Sequence, residues 1–211
     1  MLRTRLAVFV SGGGTNLQAL IDAEKSGILK SGEIVLVVSS SPKAYALERA
    51  KASGIPSVVI SRKGFSTQQE YESELKKVLK EHSIELIILA GFMNILSGSF
   101  TSCYPRRILN IHPSLIPSFC GKGFYGLKVH EAALSYGVKV TGATVHFVNE
   151  VPDGGEILLQ KAVEVQIGDT PEILQRRVME QAEWIILPEA AEMVSGEISV
   201  KGNGYERIRD L

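Results

Sequence analysis

The sequence is poor in cysteine, has no net charge and lacks a long apolar run, and each shortage excludes a class of protein. Its two cysteines, Cys103 and Cys120, are too few for a disulfide framework. Lysine plus arginine equals aspartate plus glutamate at 23 each, which argues against a broad nucleic-acid surface. The apolar run before Gly12 is too short for a signal-peptide core or a membrane span. We therefore expect a cytoplasmic protein that binds neither nucleic acid nor membranes.

What remains is the composition of an ordinary globular protein. With 211 residues, 45% of them hydrophobic, the chain is long enough to form one domain, 1–211, around a layered core. No metal-ligand spacing links the four histidines and the two cysteines, so we predict no metal site. The polar tail, residues 201–211, should be poorly ordered. The sequence leaves the oligomeric state open between monomer and homodimer.

Apolar runs alternate with helical patterns along the first half of the chain. Residues 6–10 predict a central parallel strand, and a glycine-rich loop and a helix ending at Gly27 follow it. Residues 139–148 and 156–165 predict two strands whose connection is too short for a parallel crossover, so they should pair antiparallel. The pattern predicts an α/β fold: a doubly wound, mostly parallel, Rossmann-like sheet with antiparallel strands toward the C-terminus.

Capping residues and prolines mark several helix ends. Residues 42–53 predict one helix, and Ser66 or Thr67 can cap the next. Residues 169–171 supply a capping residue followed by proline, a combination favoured at the start of a helix, so a final helix should begin there. Pro188 should kink or end that helix, because proline donates no backbone hydrogen bond.

The glycine loop at residues 11–16 suits a single phosphate. It joins a strand to a helix, where free backbone N–H groups and the positive end of the helix meet. It lacks the lysine of a Walker loop, and Leu17 stands where a dinucleotide fingerprint requires a small residue. A glycine turn that only packs the strand against the helix would show the same pattern, and that alternative stays open.

A second polar group lies near the middle of the chain, on a short predicted strand at residues 108–112. Asn110 and His112 share one face of that strand, at its carboxyl end. There an amide donor and an imidazole could stabilise an oxyanion and move a proton. Asp153, in an Asp-Gly-Gly turn, is the candidate carboxylate partner, and we expect its charge to raise the pKa of His112. Alone, each residue also fits a structural role, and for His146 a structural role is the expectation.

These motifs resemble those of the folate-dependent formyltransferases. The strings NIHPSLIP (110–117) and HFVNEVPDGG (146–155) carry the resemblance, which extends over about residues 5–190. The string GGGTNLQ (12–18) is similar to the phosphate loop of the branch that formylates glycinamide ribonucleotide. The resemblance implies a formyltransferase-type fold and a role in de novo purine synthesis. It also implies 10-formyltetrahydrofolate as co-substrate, glycinamide ribonucleotide as acceptor, and catalysis by Asn110, His112 and Asp153.

The resemblance further implies two sets of binding residues. The phosphoribosyl substrate would be held by Gly14, Thr15, Asn16, Met93 and Glu183. The folate would be held by Gln68, Met93, Asn94, Ile95, Leu96, Asn110, Val148, Asn149, Glu150 and Val151. A phosphate-binding half, about 1–105, would then precede a folate-binding and catalytic half, about 106–211.

Three positions depart from the family pattern. Some members carry arginines where this chain has Gln68 and Asn94, and those cations hold the anionic tail of folate. Lys122 is a candidate replacement for them. Cys120 stands where many members have proline. None of these departures touches the residues expected to react.

Other functions predict different sequence features. A methionyl-tRNA formyltransferase should carry an added basic C-terminal domain, and a formyltetrahydrofolate hydrolase an N-terminal regulatory domain. Neither expectation matches a neutral chain of 211 residues whose first predicted strand begins near residue 5. A silent module that only binds a nucleotide or phosphate is the remaining alternative. It predicts phosphate-ester binding without formyl transfer.

Overall fold

A computed structural model describes residues 3–201, and within them seven strands form one sheet in the order β3-β2-β1-β4-β5-β6-β7. The strands are β1 Thr4–Val10, β2 Gly32–Ser39, β3 Ser57–Val59, β4 Leu86–Leu89, β5 Ile108–His112, β6 Val140–Phe147 and β7 Ile157–Glu164. Strands β1 to β5 pair in parallel, whereas β6 pairs antiparallel with both β5 and β7. The predicted doubly wound, mostly parallel sheet with late antiparallel strands is confirmed.

Helices cover both faces of this sheet. They are α1 Thr15–Ser26, α2 Ala46–Ala52, α3 Gln68–Glu81, α4 Gly98–Thr101, α5 Leu127–Tyr136, α6 Pro171–Val178 and α7 Trp184–Lys201. A 3₁₀ turn spans Arg62–Gly64, and a π turn, Met179–Glu183, joins α6 to α7. No helix formed by the described residues is long and apolar enough to cross a bilayer. The tail prediction falls on residues 202–211, outside the described residues, and on Lys201, the last residue of α7.

The central strand β1 shows why the sheet is buried on both faces. Leu6 and Val8 point into one apolar cluster, which includes side chains of α1 and α7. Ala7 and Phe9 point into the other cluster, which includes Tyr71 of α3. All four strand residues are fully buried, as the alternating side-chain directions of a strand under two helical layers require.

Most predicted helix ends match the structure. Thr67 caps α3 in a complete capping box with Glu70, and Gly27 ends α1 in the left-handed conformation. Thr170 caps α6 with proline in the first turn. The helix predicted over residues 42–53 is shorter, because the helical hydrogen bonds begin only at Ala46.

Pro188 does not end the last helix, contrary to one of its two expected effects. It is buried inside α7, which continues to Lys201, and the regular helix is interrupted just before it by the π turn. Leu187 and Ala190 beside the proline are fully buried against the core. Burial of these neighbours offsets the loss of one helical hydrogen bond.

Candidate active site

The carboxyl ends of the parallel strands bring the predicted site segments to one edge of the sheet. Ser11, just after β1, accepts a hydrogen bond from the Met93 amide (2.9 Å) and contacts the hydroxyl of Ser40 after β2 (2.6 Å). Asn110 and His112 lie on β5, two strands from β1. Ligands of such sheets bind beyond the strand ends, so this edge is the candidate site.

Asp153 lies at the centre of a polar cluster there. Its Oδ1 accepts a long hydrogen bond from Asn110 Nδ2 (3.4 Å), and its Oδ2 lies 3.6 Å from His112 Nδ1. The Gly121 amide donates to Oδ2 (2.8 Å), while Asp153 itself has a positive φ of 56° in its turn. The structure therefore brings Asn110, His112 and Asp153 together, as the sequence motifs predicted.

His146 belongs to the same cluster, although the sequence favoured a structural role for it. It is paired with Asn110 across the antiparallel β5–β6 ladder. Its Nε2 lies 3.1 Å from Asn110 Nδ2 and 3.6 Å from Asp153 Oδ1, and its Nδ1 lies 2.9 Å from the Phe147 carbonyl oxygen. A proton on Nδ1 donates to the Phe147 carbonyl, and Nε2 faces both Asn110 and Asp153. The strand register creates this contact, and residue spacing alone does not reveal it.

Both ring nitrogens of His112 are engaged. Nε2 donates to the carbonyl oxygen of Phe119 (2.9 Å), and Nδ1 faces Asp153. Phe119 has a positive φ of 50°, so the loop after Pro117 turns its backbone onto the histidine. To donate to a substrate, His112 has to give up its contact with one of these acceptors. Asn110 also has to give up a present contact, because its amide hydrogens point to His146 and Asp153.

Burial decides the pKa of His112. Burial lowers that pKa below its usual value, although the Asp153 charge and the Phe119 carbonyl act in the opposite direction. The Asp153 charge raises the pKa of His112, as the sequence predicted, but desolvation outweighs this contribution and the net shift is downward. Burial would raise the pKa of Asp153, yet the imidazoles of His146 and His112 and the Gly121 amide hold it below its usual value. At neutral pH the cluster accordingly favours an ionised aspartate beside a neutral histidine.

The glycine loop is shaped by helix α2. The Ala46 amide donates to the Gly12 carbonyl (3.1 Å), and Arg49 Nε donates to the Gly13 carbonyl (2.9 Å). Because C=O and N–H point in opposite directions across a trans peptide, the N–H groups of Gly13 and Gly14 are turned away from α2. Gly14 then begins α1 with a φ of 71° and no side-chain cap. The first-turn amides of α1 are thus available to an anion.

The side chains beside this loop face the π turn rather than solvent. Asn16 is buried and donates from Nδ2 to Glu183 Oε2 (2.6 Å), and the Thr15 hydroxyl lies 3.7 Å from the sulfur of Met179. Burial raises the pKa of Glu183 to about 7, which the hydrogen bond from Asn16 only partly offsets. The structure therefore places Gly14, Thr15, Asn16 and Glu183 in one group, although Glu183 is almost inaccessible to solvent.

The predicted folate segment after β4 exposes apolar side chains. Met93 is 53% exposed and Ile95 67% exposed, whereas Leu96 is buried. Asn94 donates to the Tyr71 hydroxyl (2.9 Å), and Gln68 Nε2 donates to the Ile95 carbonyl (3.2 Å). Exposed apolar side chains beside a polar cleft are typical of a ligand surface.

The loop at residues 149–155 is closed by its own side chains. Asn149 accepts from the Val151 amide (2.9 Å) and donates to the Gly154 carbonyl (3.3 Å). Val151 and Glu150 are exposed, while Val148 packs against the core. A Cβ at Gly155 would lie 1.7 Å from the Phe147 carbonyl oxygen, so only glycine fits there. The loop thereby fixes the place of Asp153.

Comparison with known proteins places the chain among its relatives. A family model described as formyl transferase matches residues 4–191. The chain belongs to the formyl transferase family. Glycinamide ribonucleotide transformylase 1 from Symbiobacterium toebii is 39% identical to this formyl transferase, and the match covers 92% of this chain and 89% of that chain with a TM-score of 0.86. The phosphoribosylglycinamide formyltransferase of Haemophilus influenzae is 40% identical over 200 residues, 94% of this chain and 91% of that protein.

Longer relatives contain a similar stretch. The trifunctional purine biosynthetic protein adenosine-3 of Gallus gallus is 48% identical over 199 residues, which cover 94% of this formyl transferase and 19% of that protein. The chain thus spans about a fifth of the length of such trifunctional relatives. The fold expected from the motif resemblance is confirmed by these matches.

Proposed function

We propose that this formyl transferase transfers the formyl group of 10-formyltetrahydrofolate to the amine of glycinamide ribonucleotide, in de novo purine biosynthesis. The observation that carries the proposal is the Asp153 cluster, in which two imidazoles and an amide each lie within 3.6 Å of one carboxylate. Membership of the formyl transferase family and the names of its relatives support the same reaction.

The reaction begins when the substrate amine attacks the formyl carbon. The tetrahedral oxyanion that forms is stabilised by Asn110 and by His112, which becomes the imidazolium when it takes up the proton that the attacking nitrogen loses, and one such donor typically contributes about 10²–10³ in rate. The attacking nitrogen loses a proton and the departing folate nitrogen gains one. Asp153, His112 and a water molecule carry this proton between them. The step requires no metal or redox cofactor.

Two ligand sites follow from this proposal. The substrate phosphate is bound by the backbone amides at Gly14, Thr15 and Asn16, with Met93 and Glu183 nearer its amine and ribose. The folate lies along residues 93–96, between Gln68 and the loop at residues 148–151, with its reacting nitrogen beside Asn110. The phosphate-binding and catalytic halves of the chain would meet at this cleft.

Cellular location and assembly stay predictions of the proposal. We infer that the reaction takes place in the cytoplasm, as expected from the sequence, although the relative in Arabidopsis thaliana is named as chloroplastic. The proposed ligands are the two small molecules, and the chain acts as a monomer or a homodimer.

An absorbance assay that follows release of tetrahydrofolate tests the function. We expect release from 10-formyltetrahydrofolate only when glycinamide ribonucleotide is present. Release without any acceptor would indicate a hydrolase, and release only with initiator methionyl-tRNA would indicate the tRNA enzyme. Binding of the ribonucleotide without release under any condition would leave a silent binding module and contradict the proposal.

A further inference from the structure

We propose that Arg62 binds the carboxylate-bearing tail of the folate donor. This proposal rests on the proposed function, because it requires a folate as co-substrate. It concerns a residue outside the two sets of binding residues named above.

The guanidinium of Arg62 is held in place by neutral acceptors. Nε donates to Gln68 Oε1 (3.0 Å) and Nη1 donates to the Phe65 carbonyl (2.7 Å). Among residues 3–201, no carboxylate oxygen lies within 4.0 Å of it. Arginine has five N–H donors in a fixed fork, so donors remain for an anion that approaches from outside. A half-buried, oriented and unpaired cation is a suitable partner for a carboxylate.

The acidic side chain linked to Arg62 through Gln68, Glu72, already has hydrogen-bond partners. Glu72 is buried and accepts from Gln68 Nε2 (2.6 Å), the Ser97 amide (2.7 Å) and the Ser97 hydroxyl (2.5 Å). Its contact with Arg62 runs through Gln68, whose amide group lies between them. The carboxylate of Glu72 therefore does not occupy the outer donors of Arg62.

Arg62 also lies at the edge of the predicted folate segment. Gln68, its hydrogen-bond partner, donates to the carbonyl of Ile95, whose side chain is among the most exposed apolar groups described. Folate has an aromatic body and an anionic glutamate end. An exposed apolar strip suits the aromatic body of folate, and a fixed cation at one end of the strip suits its anionic end. The opposite end of the strip leads to Met93 and the glycine loop.

Lys122, the candidate that the sequence suggested, lies in a less suitable place. The preceding residue, Gly121, donates to Asp153, so Lys122 is adjacent in the chain to a residue that contacts the proposed reacting centre. The glutamate end of a folate has to point away from the formyl group that reacts there. Lys122 is also exposed, and no side-chain contact orients its amine among the described residues.

Binding of two ligands that differ only in the tail tests the proposal. The dissociation constants of tetrahydrofolate and of tetrahydropteroamide, in which a neutral carboxamide replaces the glutamate, are measured by calorimetry without oxygen. We expect Arg62→Gln to weaken tetrahydrofolate binding about five- to ten-fold and to change tetrahydropteroamide binding less than two-fold. Arg62→Lys should retain part of the preference for tetrahydrofolate, because it keeps the charge. Lys63→Gln, one residue away and exposed, is the control for general loss of positive charge.

Three results would overturn the proposal. Equal weakening of both ligands by Arg62→Gln would mean that Arg62 only positions Gln68, and no weakening of either would mean that it has no role. If Lys122→Gln selectively weakened the binding of tetrahydrofolate while Arg62→Gln bound it as the wild type does, the tail would be assigned to Lys122. The wild-type assay for tetrahydrofolate release is run in parallel. If the wild type binds tetrahydrofolate but does not formylate the ribonucleotide, the proposed function fails while the binding data still decide the role of Arg62.

Discussion

The glycine loop and the Asp153 cluster, which is the proposed catalytic cluster, lie at the same edge of the sheet, yet different groups hold them. The carbonyls of Gly12 and Gly13 are held by Ala46 and Arg49 of helix α2, which takes no part in the proposed chemistry. In the catalytic cluster, the groups proposed to react also hold the surrounding loops: His112 binds Phe119 and Asp153 binds Gly121. The proposed phosphate site is therefore formed before substrate arrives, whereas the proposed catalytic site has to exchange hydrogen bonds when substrate binds.

The largest effect should follow from Asp153→Asn. This change keeps the size of the side chain and removes its charge, so the imidazolium form of His112 is less favoured and the proton path loses its base. We expect kcat to fall by about 10²–10⁴, since a placed proton-transfer group contributes that much. KM for glycinamide ribonucleotide should change little, because the glycine loop does not depend on Asp153.

Steady-state kinetics in both substrates measure this result, and Asp22→Asn on the exposed surface of α1 is the matched control. The pH profile should change as well, although its limbs belong to the coupled cluster rather than to one residue. A near-normal kcat in the Asp153 variant would mean that Asp153 only forms a turn.

Glu183 lies beside the glycine loop, whose carbonyls are held by hydrogen bonds that do not titrate near neutral pH. The Glu183→Gln variant tests whether ionisation of this carboxyl group nevertheless changes the stability of the fold. The pKa of Glu183 is raised from 4.5 to about 7, so between these values the folded state keeps a proton that the unfolded state has lost. Stability therefore falls as pH rises through this window, by about 3 kcal/mol in total. The glutamine variant does not titrate and should lose this dependence.

Urea unfolding at pH 4 and pH 8 checks the prediction. The difference in stability between variant and wild type should shift in favour of the variant by about 3 kcal/mol from the lower to the higher pH. Glu189→Gln, an exposed position in the following helix α7, supplies the control. A difference that is constant with pH would show that Glu183 ionises normally.

Gly14→Val should damage the phosphate site and spare the catalytic cluster. A Cβ at Gly14 would lie 2.6 Å from the Cβ of Ala46 and 2.8 Å from its Cα, at a φ of 71° that β-branched residues avoid. We expect KM for glycinamide ribonucleotide to rise about ten-fold or more, a loss of at least about 1.4 kcal/mol, with little change in folate binding.

Gly13→Ala is the matched control, because its Cβ would meet nothing within 4 Å. Thermal unfolding of both variants separates a loss of binding from a loss of folding. Equal KM values for the Gly14 variant and the wild type would exclude this loop as the phosphate site.

The smallest effect concerns order in the loop at residues 149–155. If folate binds to its backbone, amide hydrogen exchange across the loop should slow when a folate analogue is added, by a few-fold. Helix α1, on the phosphate side, should show unchanged protection and serves as the internal reference. Unchanged protection in the loop as well would count against its role in folate binding.

Much of the fold and of the candidate site could be predicted from the spacing and type of residues that are close in the sequence. The predicted strand 108–112 coincides with β5, and a helix cap at Ser66 or Thr67 and the antiparallel β6–β7 pair were evident from spacing and residue type. Asn110 and His112 could be found because alternation on one short strand fixes their common face. Asp153 could be found because its turn chemistry is local.

What the sequence could not provide depends on register, backbone and burial. His146 joins the cluster only because β5 and β6 pair with that residue opposite Asn110. The contributions of Phe119 and Gly121 are a carbonyl and an amide, which every residue type except proline possesses. The pKa of His112 depends on how completely the fold excludes water, and that balance cannot be estimated from spacing.

The π turn at Met179–Glu183 has a consequence for the rotational phase of the last two helices. Buried side chains recur at every fourth position, at Leu174, Val178, Ala182, Ile186, Ala190 and Val194. In a regular α-helix each four-residue step overshoots a full turn by about 40°, so five such steps would rotate the apolar stripe by about 200°. The π turn is wider and contains one more residue than an α-helical turn, so each of its residues rotates the chain by a smaller angle. This reverses part of the drift and keeps the apolar stripe against one face of the sheet. Deleting a single residue within the turn would therefore rotate the apolar stripe of α7 away from the core, even though every side chain in α7 was unchanged.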